Sequence, residues 1–169
     1  MGQTPSADLG GLTMLVLPAP LEEGPKMARV DDVAAAILER QGTMSTWKLQ
    51  KLVYYCQAWH LVWEDRPLFP DRIEAWANGP VVPALYQHHR RAFEVSSWPS
   101  GNPRNLEPDE ISSIVAVLKK YGSRRGAWLS ALTHREKPWL EARAGLADGE
   151  RGNHEIRNEA MAEYYGGLL

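Results

Sequence analysis

A chain of 169 residues, 44% hydrophobic and 24% charged, is long enough for one domain with a genuine core, and its composition sets aside both wholesale disorder and a membrane protein. A formal net charge of -2 gives no overall attraction to polyphosphate, so nucleic acid is not an expected partner. The single cysteine, Cys56, excludes an internal disulfide and lies in an apolar run, which reads as a small core residue in a reducing, cytoplasmic compartment.

Residues 1–26 are rich in Gly, Pro and small side chains, with one short apolar patch at Leu12, Met14, Leu15, Val16 and Leu17. That patch has no basic leader and is too short to span a bilayer, so the segment reads as a disordered extension preceding a domain over 27–169. Val30, Val33, Ala34, Ile37 and Leu38 then fall at helical spacing, with Asp31 and Asp32 in the first turn and Gly42 beyond the end. Ser45 or Thr46 can cap a second helix, which carries Leu49, Leu52, Val53, Cys56, Trp59, His60 and Trp63 toward one side and Tyr55, Ala58 and Val62 elsewhere. Such a helix must be surrounded by protein. Lys48, Gln50, Lys51 and Gln57 interrupt the apolar cylinder, and with Tyr54 they define a narrow polar seam, the one face expected to reach solvent or a partner.

Arg66-Pro67 breaks this helix, and Ile73, Ala75 and Ala77 alternate with Arg72, Glu74, Trp76 and Asn78 at the period of a short edge strand. Asn78-Gly79-Pro80 is turn chemistry, and Pro83 suits the first turn of a helix running through Tyr86 to about Phe93. Ser96 to Asn105 reads as a loop. Pro108, Asp109 and Glu110 open a helix with the stripe Ile111, Ile114, Val115, Leu118 and Tyr121, stopped by Gly122. Trp128, Leu129 and Leu132 mark another helix and Pro138-Trp139 a short one. Asn153 can cap the last, which carries Ile156, Ala160 and Tyr164. The expected fold is therefore mainly α, a single compact domain of about six or seven helices with a small β element.

Several sharper readings fail on their chemistry. The two helices around Gly42 superficially match a helix-turn-helix, but a recognition helix needs an exposed polar face and this one is apolar nearly all round. The five histidines show neither an i, i+4 pair with its Glu nor a Cys/His cluster, so no metal or other cofactor is expected. There is no Gly-flanked serine, no phosphate-cradling glycine loop and no carboxylate pair set apart from the surface acids, so the chain does not read as an enzyme. The basic run His88-His89-Arg90-Arg91 reads first as a solvated face and second as a partner contact. Thirteen Trp and Tyr residues exceed what one interior satisfies easily, so some should be exposed, which favours a binding module.

Three segments together resemble a known family. Lys48-Leu49-Gln50-Lys51-Leu52-Val53-Tyr54-Tyr55-Cys56-Gln57-Ala58-Trp59-His60 is followed by Pro67-Leu68-Phe69, and then by Ile73-Glu74-Ala75-Trp76-Ala77-Asn78-Gly79-Pro80-Val81-Val82-Pro83-Ala84-Leu85-Tyr86. In order and spacing they are similar to the signature of the Panacea antitoxin domain, found in SocA-like and phage-associated GepA-like proteins. Leu132-Thr133-His134, Pro138-Trp139 and the helix ending at Tyr165 extend the resemblance over about Val30 to Tyr165. Asn78 departs from the pattern, since the family commonly has an aromatic there. The resemblance implies an antitoxin that binds a cognate protein toxin encoded by an adjacent gene. One branch of the family instead delivers its toxin to a cellular protease, which makes a protease the alternative partner. The candidate contact residues are Lys48, Lys51, Tyr54, Trp76, Asn78, Gly79, Pro80, Tyr86 and Arg90. For Gly79, Pro80 and Pro83 the first reading is a structural role at the strand, turn and helix junction; for Lys48, Lys51, Tyr54 and Tyr86 it is contact, because an unpaired lysine is costly to bury.

Overall fold

A computed structural model describes residues 26–169, so the expectations for the leading segment lie outside the described residues, Lys26 apart. Seven helices are present among them: α1 (Val30–Gln41), α2 (Thr46–Glu64), α3 (Pro83–His89), α4 (Pro108–Tyr121), α5 (Gly126–Thr133), α6 (Lys137–Ala142) and α7 (Asn158–Gly166). Two small antiparallel pairs accompany them. In one, β1 (Met44–Ser45) pairs with β4 (Glu94–Val95); in the other, β2 (Glu74–Trp76) pairs with β3 (Gly79–Val81). None of these helices is long and apolar enough to cross a membrane.

Helix α2 is the axis of the molecule. The Ser45 hydroxyl accepts the Lys48 amide at 3.1 Å to cap its start. At its end Asp65 turns left-handed at φ 53° ahead of Arg66-Pro67. Every residue from Leu49 to Leu61 is buried, because α1, α4, α5 and α7 pack around it. Much of the aromatic complement is spent here: Tyr55 stacks on Tyr121 with centroids 4.1 Å apart, and the Trp59 indole donates to the Tyr121 hydroxyl at 2.9 Å. The Tyr55 and Tyr165 hydroxyls both donate to Glu136 Oε1, at 2.6 and 2.9 Å, and Tyr54 and Tyr165 share a hydrogen bond of 3.0 Å. Burial raises the Glu136 carboxyl above the usual carboxylate range, and the two phenols oppose that shift. Cys56 is buried and its thiol is pushed up by the same loss of water, as expected of an inert core residue.

Apart from half-buried Lys48, the polar seam does not face solvent. Gln50, Lys51, Tyr54 and Gln57 are buried, and their partners are backbone groups or other buried side chains. Gln57 Oε1 accepts the amides of Leu68 and Phe69, at 2.7 and 3.3 Å, and its Nε2 donates to the Phe69 carbonyl at 2.8 Å. Gln50, two turns earlier, accepts the Val82 amide at 2.8 Å and donates to the Val82 carbonyl at 3.3 Å. These side chains act as clamps that give irregular segments the pairing a strand would otherwise supply.

The loop at 96–105 is fixed by the two acids that open α1. The Trp98 indole donates to Asp31 Oδ1 and the Asn102 amide to buried Asp32 Oδ1, while a Cβ at Gly101 would land on the Asp31 carbonyl. Helix α4 starts with a reciprocal pair in which the Glu107 amide donates to Glu110 and the Glu107 carboxylate receives the Glu110 amide. Its buried face is Glu110, Ser113, Ile114, Val117, Leu118 and Tyr121, so Val115, expected in the apolar stripe, is instead exposed.

Two other expectations are corrected. Helix α3 stops at His89 rather than near Phe93, because the chain must extend to pair with β1; the Phe93 carbonyl accepts the Thr46 amide at 2.9 Å. Asn153 does not cap the last helix, which begins at Asn158. The stretch from His154 to Ile156 instead runs extended beside β2, with Ala75 N donating to His154 O and Ile156 N to Ile73 O, both at 2.8 Å.

Gln57→Leu keeps the volume but leaves two buried amides and a carbonyl without partners, a cost of roughly 2–4 kcal/mol. Urea unfolding should register that loss with the far-ultraviolet dichroism of the folded state unchanged, and a variant as stable as the parent would deny Gln57 its clamping role.

A candidate partner-binding surface at the 74–81 hairpin

The hairpin turns tightly at Ala77-Asn78, with Trp76 paired to Gly79. Gly79 adopts φ 121°, where a side chain is strained, and a Cβ there would lie 2.5 Å from Lys51 Cε and 3.2 Å from Thr133 Oγ1. This position needs glycine for both its conformation and its floor. Expected as a simple turn, Gly79 and Pro80 are themselves strand residues facing inward, buried against α2.

The back of the hairpin is held from two directions. From α2, Lys51 Nζ donates to the Pro80 carbonyl at 3.0 Å, next to the grip of Gln50 on Val82. From α6 and its C-terminal end, the Trp139 indole donates to the Trp76 carbonyl at 2.9 Å and Arg143 Nη1 to the Ala75 carbonyl at 3.0 Å. Lys51 is 0% exposed, and the Trp47 ring lies 5.2 Å from its Nζ. Desolvation lowers the Lys51 ammonium to about 7. Gln50 Nε2 also lies 2.9 Å from Nε2 of buried His89, whose imidazolium burial disfavours.

The front of the hairpin is free and bordered by two depressions. The larger, about 530 Å³, is lined by Trp47, Glu74, Trp76, Ala77, Asn78, Arg151, Gly152 and Asn153. The smaller, about 160 Å³, is lined by Thr46, Trp47, Gln50, Val81, Tyr86, His89, Arg90, Ala92 and Phe93. Trp47 borders both and is 40% exposed, and Phe93 is 86% exposed. Trp76 packs edge-on against Tyr86 with centroids 4.9 Å apart, and its indole donates to Glu74 at 2.9 Å. Trp76 is thus held in place with part of its face open.

The candidates named from sequence therefore separate. Trp76, Asn78, Tyr86 and Arg90 lie together on this surface. Lys51, Gly79 and Pro80 lie directly beneath it, so the expectation that Lys51 presents its ammonium to a partner is corrected: it braces the hairpin from inside. Tyr54 is likewise interior, bonded to Tyr165. Lys48 is half-buried and donates to the Gly122 carbonyl at 2.6 Å. The sequence reading missed Trp47, Phe93 and Arg151. A large aromatic two residues after an N-cap, and a phenylalanine following a basic run outside any apolar period, were the available signals.

This is a helical domain whose hairpin is locked from behind and whose outer face is aromatic. The sequence profile described as "Antitoxin SocA-like, Panacea domain" matches residues 49–140, more than half of the chain, and the chain belongs to that family. It is also similar to the Antitoxin SocA of Caulobacter vibrioides (strain NA1000 / CB15N), with 35% identity over 103 residues that cover 59% of this chain and 53% of that protein. The chain thus spans about half the length of the curated relative it matches. No solved structure matches it.

A lysine whose ammonium is weakened by folding lowers stability below its unfolded value of 10.5, with the full cost reached below about 7. Lys51→Met removes that titration. The stability difference between variant and parent should move in the variant's favour by about 1.4 kcal/mol per pH unit as pH falls from about 10 to about 7, then level off. Urea unfolding across that range checks the slope; a pH-independent difference would mean that Lys51 stays charged in the fold.

Proposed function

We propose that this protein is a cytoplasmic, non-enzymatic antitoxin that silences a cognate protein toxin, the product of an adjacent gene, by stoichiometric binding through the face around the 74–81 hairpin. The observation that carries this reading is the pairing of a rigidly braced hairpin with large exposed aromatics, Trp47 and Phe93, set beside Trp76 and Tyr86. Trp, Tyr and Arg dominate the energetics of protein interfaces, and here Arg90 and Arg151 stand at the edges of the same two depressions. Because the hairpin is already held by Gln50, Lys51, Trp139 and Arg143, little ordering remains to oppose association. A stable complex of this kind buries on the order of 1,600 Å² in total, an area larger than either depression alone offers. The partner therefore spans both, with the Trp47 ridge between them. Inhibition by occupancy then needs no turnover.

The test is co-expression with the adjacent gene product. The paired substitution Trp47→Ala and Phe93→Ala removes both rings; Phe93 has little packing to lose, and because the Trp47 ring lies over Lys51, circular dichroism first checks that the variant is folded. The double variant should abolish rescue of growth and weaken binding by about 1,000-fold, at roughly 2 kcal/mol for each of the two centrally placed rings. Rescue undiminished by the double substitution would remove this face from the interface, and protection by the wild-type chain at far below toxin stoichiometry would remove occupancy as the mechanism.

A further inference from the structure

Charge is unevenly distributed along this chain. Between Ile111 and Arg135 there is no Asp or Glu, while Lys119, Lys120, Arg124, Arg125 and Arg135 supply five cations. All five are exposed, four of them at the end of α4 and in the turn to α5, and Lys48 joins them by its bond to Gly122 in that turn. The ion pairs among the described residues lie elsewhere, on Arg29, Arg66, Arg72, His88 and Arg104. The one acid that closely follows the run, Glu136, is buried and engaged by Tyr55 and Tyr165.

Aromatic rings hold two of these cations instead. Arg124 lies 4.3 Å from the centroid of Trp128, and Lys120 Nζ lies 4.3 Å from that of Trp59. Trp128 is 40% exposed, and Trp63, stacked on Trp59 at 5.4 Å, is 41% exposed. None of these residues lines the depressions beside the hairpin.

We propose that this face, at the turn between α4 and α5, binds single-stranded nucleic acid, with phosphates meeting Lys119, Lys120, Arg124 and Arg125 and a base stacking on Trp128. Cations alone would suit any polyanion. What selects a single strand is the interleaving of cations with exposed indoles, because unpaired bases stack on aromatic rings and guanidinium planes while phosphates track the charge. A purely acidic peptide would use the charges and leave the rings unused, whereas every base of a single strand carries a face that can stack on them. The chain's net -2 does not oppose this, since screening over about 10 Å at 0.1 M salt leaves the local cations dominant.

The purified full chain is titrated into a fluorescein-labelled oligoadenylate of about twelve nucleotides, with fluorescence anisotropy as the readout. Saturable binding is expected, and log K should fall against log salt with a slope of about -2 to -3 between about 50 and 200 mM, for three or four phosphates neutralised. Reversing Arg124 and Arg125 to Glu should weaken binding about tenfold or more by removing two of those contacts. Trp128→Ala should weaken it about fivefold, at roughly 1 kcal/mol for one stacked base, while leaving the affinity for inorganic polyphosphate unchanged. Circular dichroism confirms that each variant is folded, and the separate reversal of Lys119 and Lys120 stands in should the arginine variant unfold. Absence of saturable binding at about 50 mM salt overturns the proposal. So does polyglutamate of matching charge binding as tightly as the oligonucleotide with Trp128→Ala without effect, a result that assigns the face to an acidic protein.

Discussion

A helix with no side toward water has to settle its polar side chains inside the protein, and that requirement organises this molecule. Helix α2 brings Gln50, Lys51, Gln57 and His60 into an interior otherwise made of Leu, Val and aromatic rings. Each is matched to a particular group: Val82, Pro80, the Leu68-Phe69 backbone and Ser113, the last at 2.7 Å from His60 Nδ1. Because a buried polar atom without a partner is costly, the first three of these contacts fix the course of segments that have little regular structure of their own, while the fourth ties α2 to α4. The small β element is held where it is by the side chains of a helix as well as by its own ladder.

That arrangement divides labour within the hairpin. Its inward residues, Gly79 and Pro80, satisfy steric and hydrogen-bonding demands set by α2, while Trp76, Ala77 and Asn78 carry the outward chemistry. Asn78 is itself polar, and the large exposed rings on this face are Trp47 and Phe93. The cationic face at the α4–α5 turn is separate from these residues, and Lys48 and Trp47, adjacent in sequence, belong one to each surface.

What the sequence revealed and what it hid follow from range. Helices α1, α2 and α4 were legible because their signals are local: acids in a first turn, Ser45 ahead of an apolar run, Pro108 with Asp109 and Glu110, and Gly42 and Gly122 at the ends. The pairing of Met44 with Val95 and of Glu74 with Glu155 joins residues far apart in the chain, and nothing in either short segment names its partner. The direction of the polar seam was misread for a related reason. Glutamine and lysine in an apolar helix mark a demand for hydrogen bonds, and their spacing does not say whether water or a distant carbonyl meets it. The candidate site was accordingly half visible, with Trp76, Asn78, Tyr86 and Arg90 at the surface, Lys51 and Tyr54 inside, and Trp47 unremarked until the fold set it on the ridge between the depressions.

The contact between Tyr54 and Tyr165 spans 111 residues, and Tyr165 also completes the coordination of Glu136 beside Tyr55. During translation, α2 therefore emerges long before the residues that seal it. A partly made chain exposes a nearly all-apolar helix to chaperones and proteases, and its interior closes only when α7 leaves the ribosome. A chain cut short before α7 would accordingly leave Tyr54 without its phenol partner and Glu136 with one phenol fewer, and the body around α2 would stay open.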